Sequence, residues 1–137
     1  MRRRVASASV ARLASIDPAG RPHLVPIVFA LVGDEIVSAV DDKPKRSTRL
    51  RRLENIRTNP LVAVLVDHYE DDWSKLWWVR IRGTARVVEE GADLAAAVEA
   101  LAGRYAAYRE LPPAGPAVIV TAEEWLGWAA GVSDAVG

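Results

Sequence analysis

One apolar run constrains the fold more than any other feature of this sequence: every residue from Leu24 to Val32 is apolar. A short run of this kind is typical of a strand buried on both faces. We therefore predict a strand over His23 to Val32, paired with a preceding strand through the turn Asp17 to Gly20. Proline has no backbone N–H, so Pro26 cannot donate to the ladder. We expect a bulge there, or a strand edge that lies against a ligand.

The remaining periodicities predict a mainly β protein with flanking helices. Besides His23 to Val32, the predicted strands are Arg12 to Asp17, Glu35 to Val40, Leu61 to Val66, Leu76 to Val88 and Ala117 to Thr121. The predicted helices cover Arg3 to Val10, a segment around Leu50 to Ile56, and Ala92 to Tyr108. With 137 residues, half of them hydrophobic, the chain has the size of one domain, residues 1–137. An antiparallel barrel is the leading architecture.

Composition narrows the function classes. The chain has no cysteine, so disulfides and thiolate metal sites are excluded. Its 18 basic and 18 acidic residues give no net charge, which does not favour nucleic acid or an acidic membrane as partner. We find neither a signal-peptide pattern nor a run approaching the roughly 20 apolar residues of a membrane span. We therefore expect a cytoplasmic protein.

The charge distribution is more informative than its sum, because one segment is strongly cationic. Between Lys43 and Arg57 a single acid, Glu54, faces seven basic residues: Lys43, Lys45, Arg46, Arg49, Arg51, Arg52 and Arg57. Cations just before a helix, with the free N–H groups of its first turn, form an anion site suited to phosphate. Arg49 and Arg52 lie one turn apart and so share a face. The alternative is a solvated basic helix face. No Walker or Rossmann glycine pattern occurs.

Aromatic and imidazole residues give weaker signals. Five tryptophans, Trp73, Trp77, Trp78, Trp125 and Trp128, form two clusters that suit either the wall of a pocket for a planar ring or core and interface packing. Neither His23 nor His68 has the sequence context of a metal site. The acids near His68 suggest at most a weak hard-cation site, and surface solvation is the favoured interpretation. No hydrolase nucleophile motif is present. We therefore predict no metal site.

Several segments together resemble the pyridoxamine-phosphate-oxidase-like proteins, and more closely their actinobacterial branch of coenzyme F420-dependent enzymes. The segments are GRPHLVPIVF (20–29), DKPK (42–45), LRRLENI (50–56) with Asn59-Pro60, VLVDHY (64–69), Trp73, LWWVR (76–80), GTA (83–85) and WLGW (125–128). The resemblance covers nearly the whole chain. The order and spacing of these segments are more specific than any one of them.

This resemblance implies a split β-barrel of the FMN-binding, flavin-reductase-like type, and a homodimer with two cofactor sites at its interface. It implies that Pro26, Ile27, Val28 and Phe29 lie along a tricyclic ring. The phosphate would be held by Lys43 and Lys45, with Arg49 or Arg52. Lys75 with Trp77, or Trp125 with Trp128 from the other subunit, are candidates for the remaining wall.

The resemblance also implies an oxidoreductase that uses reduced coenzyme F420 to transfer hydride to an unsaturated or quinone-like small molecule. Tyr69, Lys75 or solvent are the candidates for a proton donor. FMN is the close alternative cofactor, because a phosphate clamp alone does not distinguish the two. A non-catalytic carrier or sensor of flavin, haem or another tetrapyrrole is a rival of another class. A nucleic-acid-binding module using the Lys43 to Arg57 segment fits the local charge but not the neutral total.

Overall fold

The computed structural model describes residues 1–40 and 46–131, and it leaves the side chains of residues 46–50 undescribed. In chain order the described elements are α1 (Arg2–Ser7), β1 (Ala11–Ile16), β2 (Pro22–Ile27), β3 (Ala30–Val32), β4 (Glu35–Ala39), α2 (Arg46–Thr58), β5 (Leu61–His68), a 3-10 turn (Trp73–Lys75), β6 (Trp77–Val88), α3 (Gly91–Arg104), α4 (Ala106–Glu110) and β7 (Ala117–Ala129).

The strands of the described chain form one sheet whose order explains its curvature. The order is β2-β1-β5-β6-β7-β4-β3, and every pairing is antiparallel. β2 and β3 lie at opposite edges of this sheet, yet only Val28 and Phe29 separate them in the chain. The sheet must therefore curl until its two edges come close. The result is a split barrel, which confirms the predicted fold class.

The interior of the barrel is built by period-two alternation along its strands. In β5, Val62, Val64 and Val66 are buried, whereas Leu61 and Leu65 are exposed on the outer face. β-branched residues suit such a half-buried strand, because successive side chains point to opposite faces. The buried set belongs to a core cluster that also contains residues of β1, β4, β6 and α2. A second cluster lies where α3 covers β4 and β7.

The structure corrects three predicted elements. The strand predicted over His23 to Val32 is two strands, and the prediction that both its faces are buried is wrong, since Leu24 on edge strand β2 is 67% exposed. The predicted helix Ala92 to Tyr108 is broken at Tyr105. The predicted last strand, Ala117 to Thr121, continues to Ala129 because its second half pairs with β6. No helix in the described part of the chain is long and apolar enough to cross a membrane.

Candidate functional site

A cavity of about 360 Å³ lies beside the gap between β2 and β3. Its lining residues are Val10, Pro26, Ile27, Val28, Ala39, Arg52 and Tyr108. Four of them, Pro26, Ile27, Val28 and Arg52, are site residues predicted from the sequence. The structure therefore brings the apolar run and one residue of the cationic segment to a single cavity. Most of the wall is apolar.

The edge position of β2 agrees with the prediction made for Pro26. Pro26 is paired with Arg12 of β1, and β2 is the first strand of the described order. An edge strand needs no N–H donor on its outer side, so proline fits there without loss of a ladder bond. Pro26 is exposed and lines the cavity instead.

Helix α2 positions Arg52 through three buried residues that follow it in the helix. Leu53 and Ile56 are buried in the barrel core. Asn55, also buried, donates from its Nδ2 to the Oγ of Ser15 on β1 at 3.2 Å. Because these contacts fix the rotation of the helix, they also fix the direction in which Arg52 emerges. The Asn55 Oδ1 is a buried acceptor without a hydrogen-bond partner among the described residues.

The backbone at the gap is held by two side chains from the end of α3, which sequence reasoning missed. The Tyr105 hydroxyl accepts from the Phe29 N–H at 3.1 Å, and it lies 2.9 Å from the carbonyl oxygens of both Phe29 and Ser9. Arg104 donates to the Phe29 carbonyl at 3.2 Å and to the Ala8 carbonyl at 2.6 Å. Its guanidinium also lies 5.6 Å from the centre of the Phe29 ring. No motif marks either residue, since both are ordinary residues at the end of an alanine-rich helix.

The other predicted site residues are placed differently or fall outside the described residues. Phe29 is fully buried in the core, behind the cavity rather than in its lining. Lys43 and Lys45 lie outside the described residues, as does the side chain of Arg49. Lys75 is exposed, and its Nζ lies 3.8 Å from the Oδ2 of Asp72. Trp77 is half-buried beneath the guanidinium of Arg4, so within one chain neither Lys75 nor Trp77 lines this cavity.

The histidines and the acidic loop have local roles. His68 makes a close contact with the Glu70 carboxylate. His23 is paired with Ser15 in the β1–β2 register, and its Nδ1 is buried. Neither histidine lines the cavity. The side-chain and backbone hydrogen bonds of Ser74 lower the pKa of Asp72, which caps the 3-10 turn. Over the described ranges, no three His, Asp or Glu residues are grouped so as to hold a metal ion.

The outer face of the sheet carries exposed apolar residues on several of its strands. Leu24 of β2 and Leu65 of β5 are exposed, as is Trp128 of β7, which is paired with Trp78 of β6. A depression of about 450 Å³ on this face is lined by Leu65, Asp67, Tyr69, Trp78 and Arg80. It combines apolar surface with one acid and one base. We call the exposed side of β2, β1, β5, β6 and β7 the outer sheet face.

Comparisons with known proteins agree with this architecture. A sequence model described as pyridoxamine 5'-phosphate oxidase matches residues 1–129. No curated protein sequence matches the chain.

Solved structures of low sequence identity share the fold. A conserved hypothetical protein from Mycobacterium tuberculosis superposes with a TM-score of 0.73 at 24% identity, covering 98% of this chain and 88% of its own. A heme binding protein from Mycobacterium smegmatis superposes with a TM-score of 0.74 at 22% sequence identity, and the match covers 97% of this chain and 54% of that protein. A FAD-binding protein from Mesorhizobium loti superposes with a TM-score of 0.71 at 18% sequence identity, and the match covers 92% of this chain and 89% of that protein.

Proposed function

The chain belongs to the pyridoxamine 5'-phosphate oxidase family, and from this premise we propose that it is an oxidoreductase that uses reduced coenzyme F420. Its substrate would be an unsaturated or quinone-like small molecule that accepts hydride. The observation that carries the proposal is the cavity beside Pro26, because edge strand β2 and Arg52 line it together. In the sequence, Ala39 of the same cavity is followed within six residues by Lys43 and Lys45.

The lining of the cavity fits one part of the cofactor. A volume of about 360 Å³ is near the lower end of small-molecule sites, so it suits a tricyclic ring rather than a whole cofactor with its tail. Pro26, Ile27 and Val28 would orient the ring and exclude water. Arg52, together with Lys43, Lys45 and Arg49, would hold the phosphate by charge-assisted hydrogen bonds.

When bound, the reduced deazaflavin supplies a hydride from carbon, and the protein's part is orientation, exclusion of water and the handling of one proton. Tyr108 carries the only hydroxyl among the described lining residues, so its phenol is the first candidate for a proton donor. Tyr69 and Lys75, the candidates from the sequence, are exposed and lie outside this lining.

FMN and haem are the alternative ligands. FMN would use the same phosphate clamp, and one neighbour of the same fold is named as FAD-binding. Another neighbour is named as heme binding. Neither His23 nor His68 lines the cavity, which favours a flavin-type cofactor over haem at this position.

Separate titrations with coenzyme F420 and FMN test the cofactor proposal. We expect quenching of deazaflavin fluorescence at micromolar protein, no retained FMN, and about 10-fold to 100-fold weaker F420 binding by Arg52→Gln, from the ~1.5–3 kcal/mol of a hydrogen bond to a charged group. Arg57→Gln is the matched control, because Arg57 is on the same helix but pairs with Glu89 and does not line the cavity.

Three outcomes would contradict the proposal in different ways. If the purified protein carries stoichiometric FMN, the cofactor is FMN and not F420. If Arg52→Gln binds both cofactors as the wild type does, the cavity beside Pro26 is not the cofactor site. With F420 bound, hydride transfer to menadione at a rate no higher than that of free reduced F420 would contradict the enzymatic role.

The outer sheet face supports a homodimer as part of the same proposal. Leu24 and Pro26 are two positions apart on β2 and are both exposed on the outer sheet face. Because Pro26 also lines the cavity, the cavity adjoins this face, and a second copy packed on the face would complete the wall of the cavity. Lys75 and Trp77 then become wall residues only if the partner contributes them. The depression on this face contains one acid, Asp67, and one base, Arg80. In a two-fold interface the same patch of both copies meets, so the acid of one copy could face the base of the other.

Leu65→Asp tests this interface. Because Leu65 is 36% exposed at the centre of the outer sheet face, an aspartate there can reach water in the monomer but would be buried by a second copy. We expect light scattering to show a mass of two 14.9-kDa chains for the wild type and one for the variant, with weaker F420 binding. Leu111→Asp is the control, at a residue 74% exposed beyond α4. A wild-type monomer that binds F420 fully would refute the dimer.

A further inference from the structure

The depression on the outer sheet face contains a positive charge that no acid of the described chain neutralises. This charge belongs to Arg80, which has neither a hydrogen bond nor an ion pair among the described residues. Its Nε is buried, and its guanidinium lies 6.0 Å from the centre of the Trp78 ring. Asp67, the acid of the same depression, lies 3.4 Å from Arg12 on the neighbouring strand β1. Two bases therefore share one acid on this part of the face, and Arg80 is the base left over.

The strand register relates Arg80 to the cavity beside Pro26. Pro26 of β2 is paired with Arg12 of β1, and Arg12 is also paired with Leu65 of β5. Leu65 is in turn paired with Arg80 of β6. Directly opposed residues of antiparallel strands lie on the same face, so these four residues form one row across the outer sheet face. At about 4.8 Å per strand, Arg80 lies about 14 Å from Pro26 of its own chain, which is too far to line the same cavity.

The charges of this row favour one position for the two-fold axis of the proposed homodimer. When two sheets pack face to face about an axis parallel to their strands, the row of one copy lies reversed on the row of the other. An axis at Leu65 would place Arg80 on Arg12 of the second copy, and like charges repel each other. An axis between β1 and β5 instead places Leu65 on Arg12, and Arg80 on Pro26. In this second position, Arg80 of one copy lies at the mouth of the other copy's cavity.

The cavity beside Pro26 is too small for both a tricyclic ring and the molecule that accepts hydride from it. Its volume of about 360 Å³ suits the ring alone. The acceptor must then lie on the open side of the cavity, within about 3.5 Å of the ring. The depression has a volume of about 450 Å³, enough for a small molecule, and Leu65, Tyr69 and Trp78 give it apolar and aromatic walls. Placed over the cavity of the other copy, the depression would hold the acceptor against the ring.

We propose that the depression of one copy is the substrate half of the cofactor site of the other, and that Arg80 binds an anionic group of the substrate. This inference rests on the proposed function and its homodimer. It narrows the substrate class to unsaturated or quinone-like molecules that carry a carboxylate or sulfonate. The guanidinium fork would donate two parallel hydrogen bonds to that group, and Trp78 would pack against the flat part of the substrate.

Calorimetric titration without cofactor tests the role of Arg80. The probes are 1,4-naphthoquinone-2-sulfonate and the neutral 1,4-naphthoquinone, and neither can form a thiol adduct because the chain has no cysteine. We expect one sulfonate per chain, bound at least about tenfold tighter than the neutral quinone. Arg80→Gln should remove this difference, and Arg80→Lys should keep part of it because lysine keeps the charge but not the fork. Equal binding of the two quinones by the wild type would overturn the proposal.

Arg82→Gln is the matched control for this titration. Arg82 lies two positions along β6 on the same face, but it pairs with Glu124 at 3.4 Å and does not line the depression. We expect this variant to bind the sulfonate as the wild type does. Sulfonate binding that is unchanged in Arg80→Gln, or weakened equally in Arg82→Gln, would overturn the assignment to Arg80.

Mixed dimers test whether the two halves of the site come from different chains. When Arg52→Gln and Arg80→Gln chains are co-expressed, half of the dimers are mixed, and each mixed dimer has one site with both arginines. We expect these dimers to restore about a quarter of the wild-type rate of sulfonate reduction, at a cofactor concentration that saturates the wild type but not Arg52→Gln. If both halves belonged to the same chain, no mixed dimer would contain an intact site. A rate no higher than the average of the two parent variants would therefore overturn the proposal.

Failure of this inference is distinguishable from failure of the proposed function. Without the proposed function, the wild type would bind neither F420 nor FMN. If only the inference fails, the cofactor still binds and the mixed dimers restore no activity. Light scattering should also show that Arg80→Gln remains a dimer. A monomeric variant would mean that Arg80 pairs with Asp67 of the second copy rather than with substrate, and that result would overturn the inference.

Discussion

Replacing Tyr105 by phenylalanine removes one oxygen atom and tests what holds the gap between β2 and β3. The hydroxyl accepts from the Phe29 N–H, and its single proton is donated to the carbonyl of Ser9 or of Phe29. In the variant, water can replace the bond to exposed Ser9, and Arg104 still donates to the Phe29 carbonyl. Only the Phe29 N–H is left without a partner.

The expected magnitude follows from that count. An unsatisfied, largely buried donor costs about 1–3 kcal/mol, whereas a hydrogen bond exchanged for water costs about 1 kcal/mol or less. We therefore expect Tyr105→Phe to lower the free energy of unfolding by about 2 kcal/mol. Because Val28, which lines the cavity beside Pro26, precedes Phe29, the same change should also weaken binding of the proposed cofactor.

Urea unfolding followed by circular dichroism measures the first effect, and fluorescence titration with F420 the second. Tyr69→Phe is the matched control, since Tyr69 is 60% exposed and its hydroxyl makes no hydrogen bond within the described residues. A Tyr105→Phe protein as stable as the Tyr69→Phe protein would refute the reasoning. It would mean that water reaches the Phe29 N–H and that the gap is not held by the end of α3.

Two further predictions concern the sheet and a turn. Gly83→Ala should destabilise the fold by about 1–3 kcal/mol in urea unfolding, because a Cβ there would clash with the backbone oxygen of Thr121. Gly103→Ala is the control: it has open space around it in α3 and should be neutral or stabilising. Hydrogen bonding from the Arg21 backbone lowers the pKa of Asp17 below its ordinary 3.8, so its stabilising contribution is present above that value and is lost as pH falls through the lower folded pKa. Asp17→Asn should therefore flatten the acid limb of the stability profile, and a profile parallel to the wild type's would contradict this.

Sequence patterns predicted the fold class because they depend on local periodicity. The valines of β5 alternate in burial as the period of a strand requires, and the helix around Leu50 to Ile56 lies within α2. Pattern failed for the run Leu24 to Val32, since apolar character does not distinguish a doubly buried strand from an edge that faces a cavity or another surface. The exposure of Leu24 is decided by which strand pairs with β2, and pairing is a property of the whole chain.

The candidate site was predictable in part for the same reason. Pro26 carries its own signal, because a residue that cannot donate must lie at an edge or a bulge. Arg52 was found through the density of basic residues around it. Tyr105 and Arg104 gave no signal, because their partners are backbone atoms some 75 to 96 positions away in the sequence.

The position of the cavity follows from the topology itself. A chain that passes from one edge of a curled sheet to the other in two residues cannot pair those residues with either edge. Their backbone groups must then be satisfied by side chains from outside the sheet, which is the work of Tyr105 and Arg104 on Phe29. The edge strands β2 and β3 are not hydrogen-bonded to each other, and the cavity lies beside this gap. Residues of β2, β4, α2 and α4 border it. The cavity beside Pro26 is therefore a consequence of splitting the barrel, and Pro26, Ile27 and Val28 give it an apolar wall.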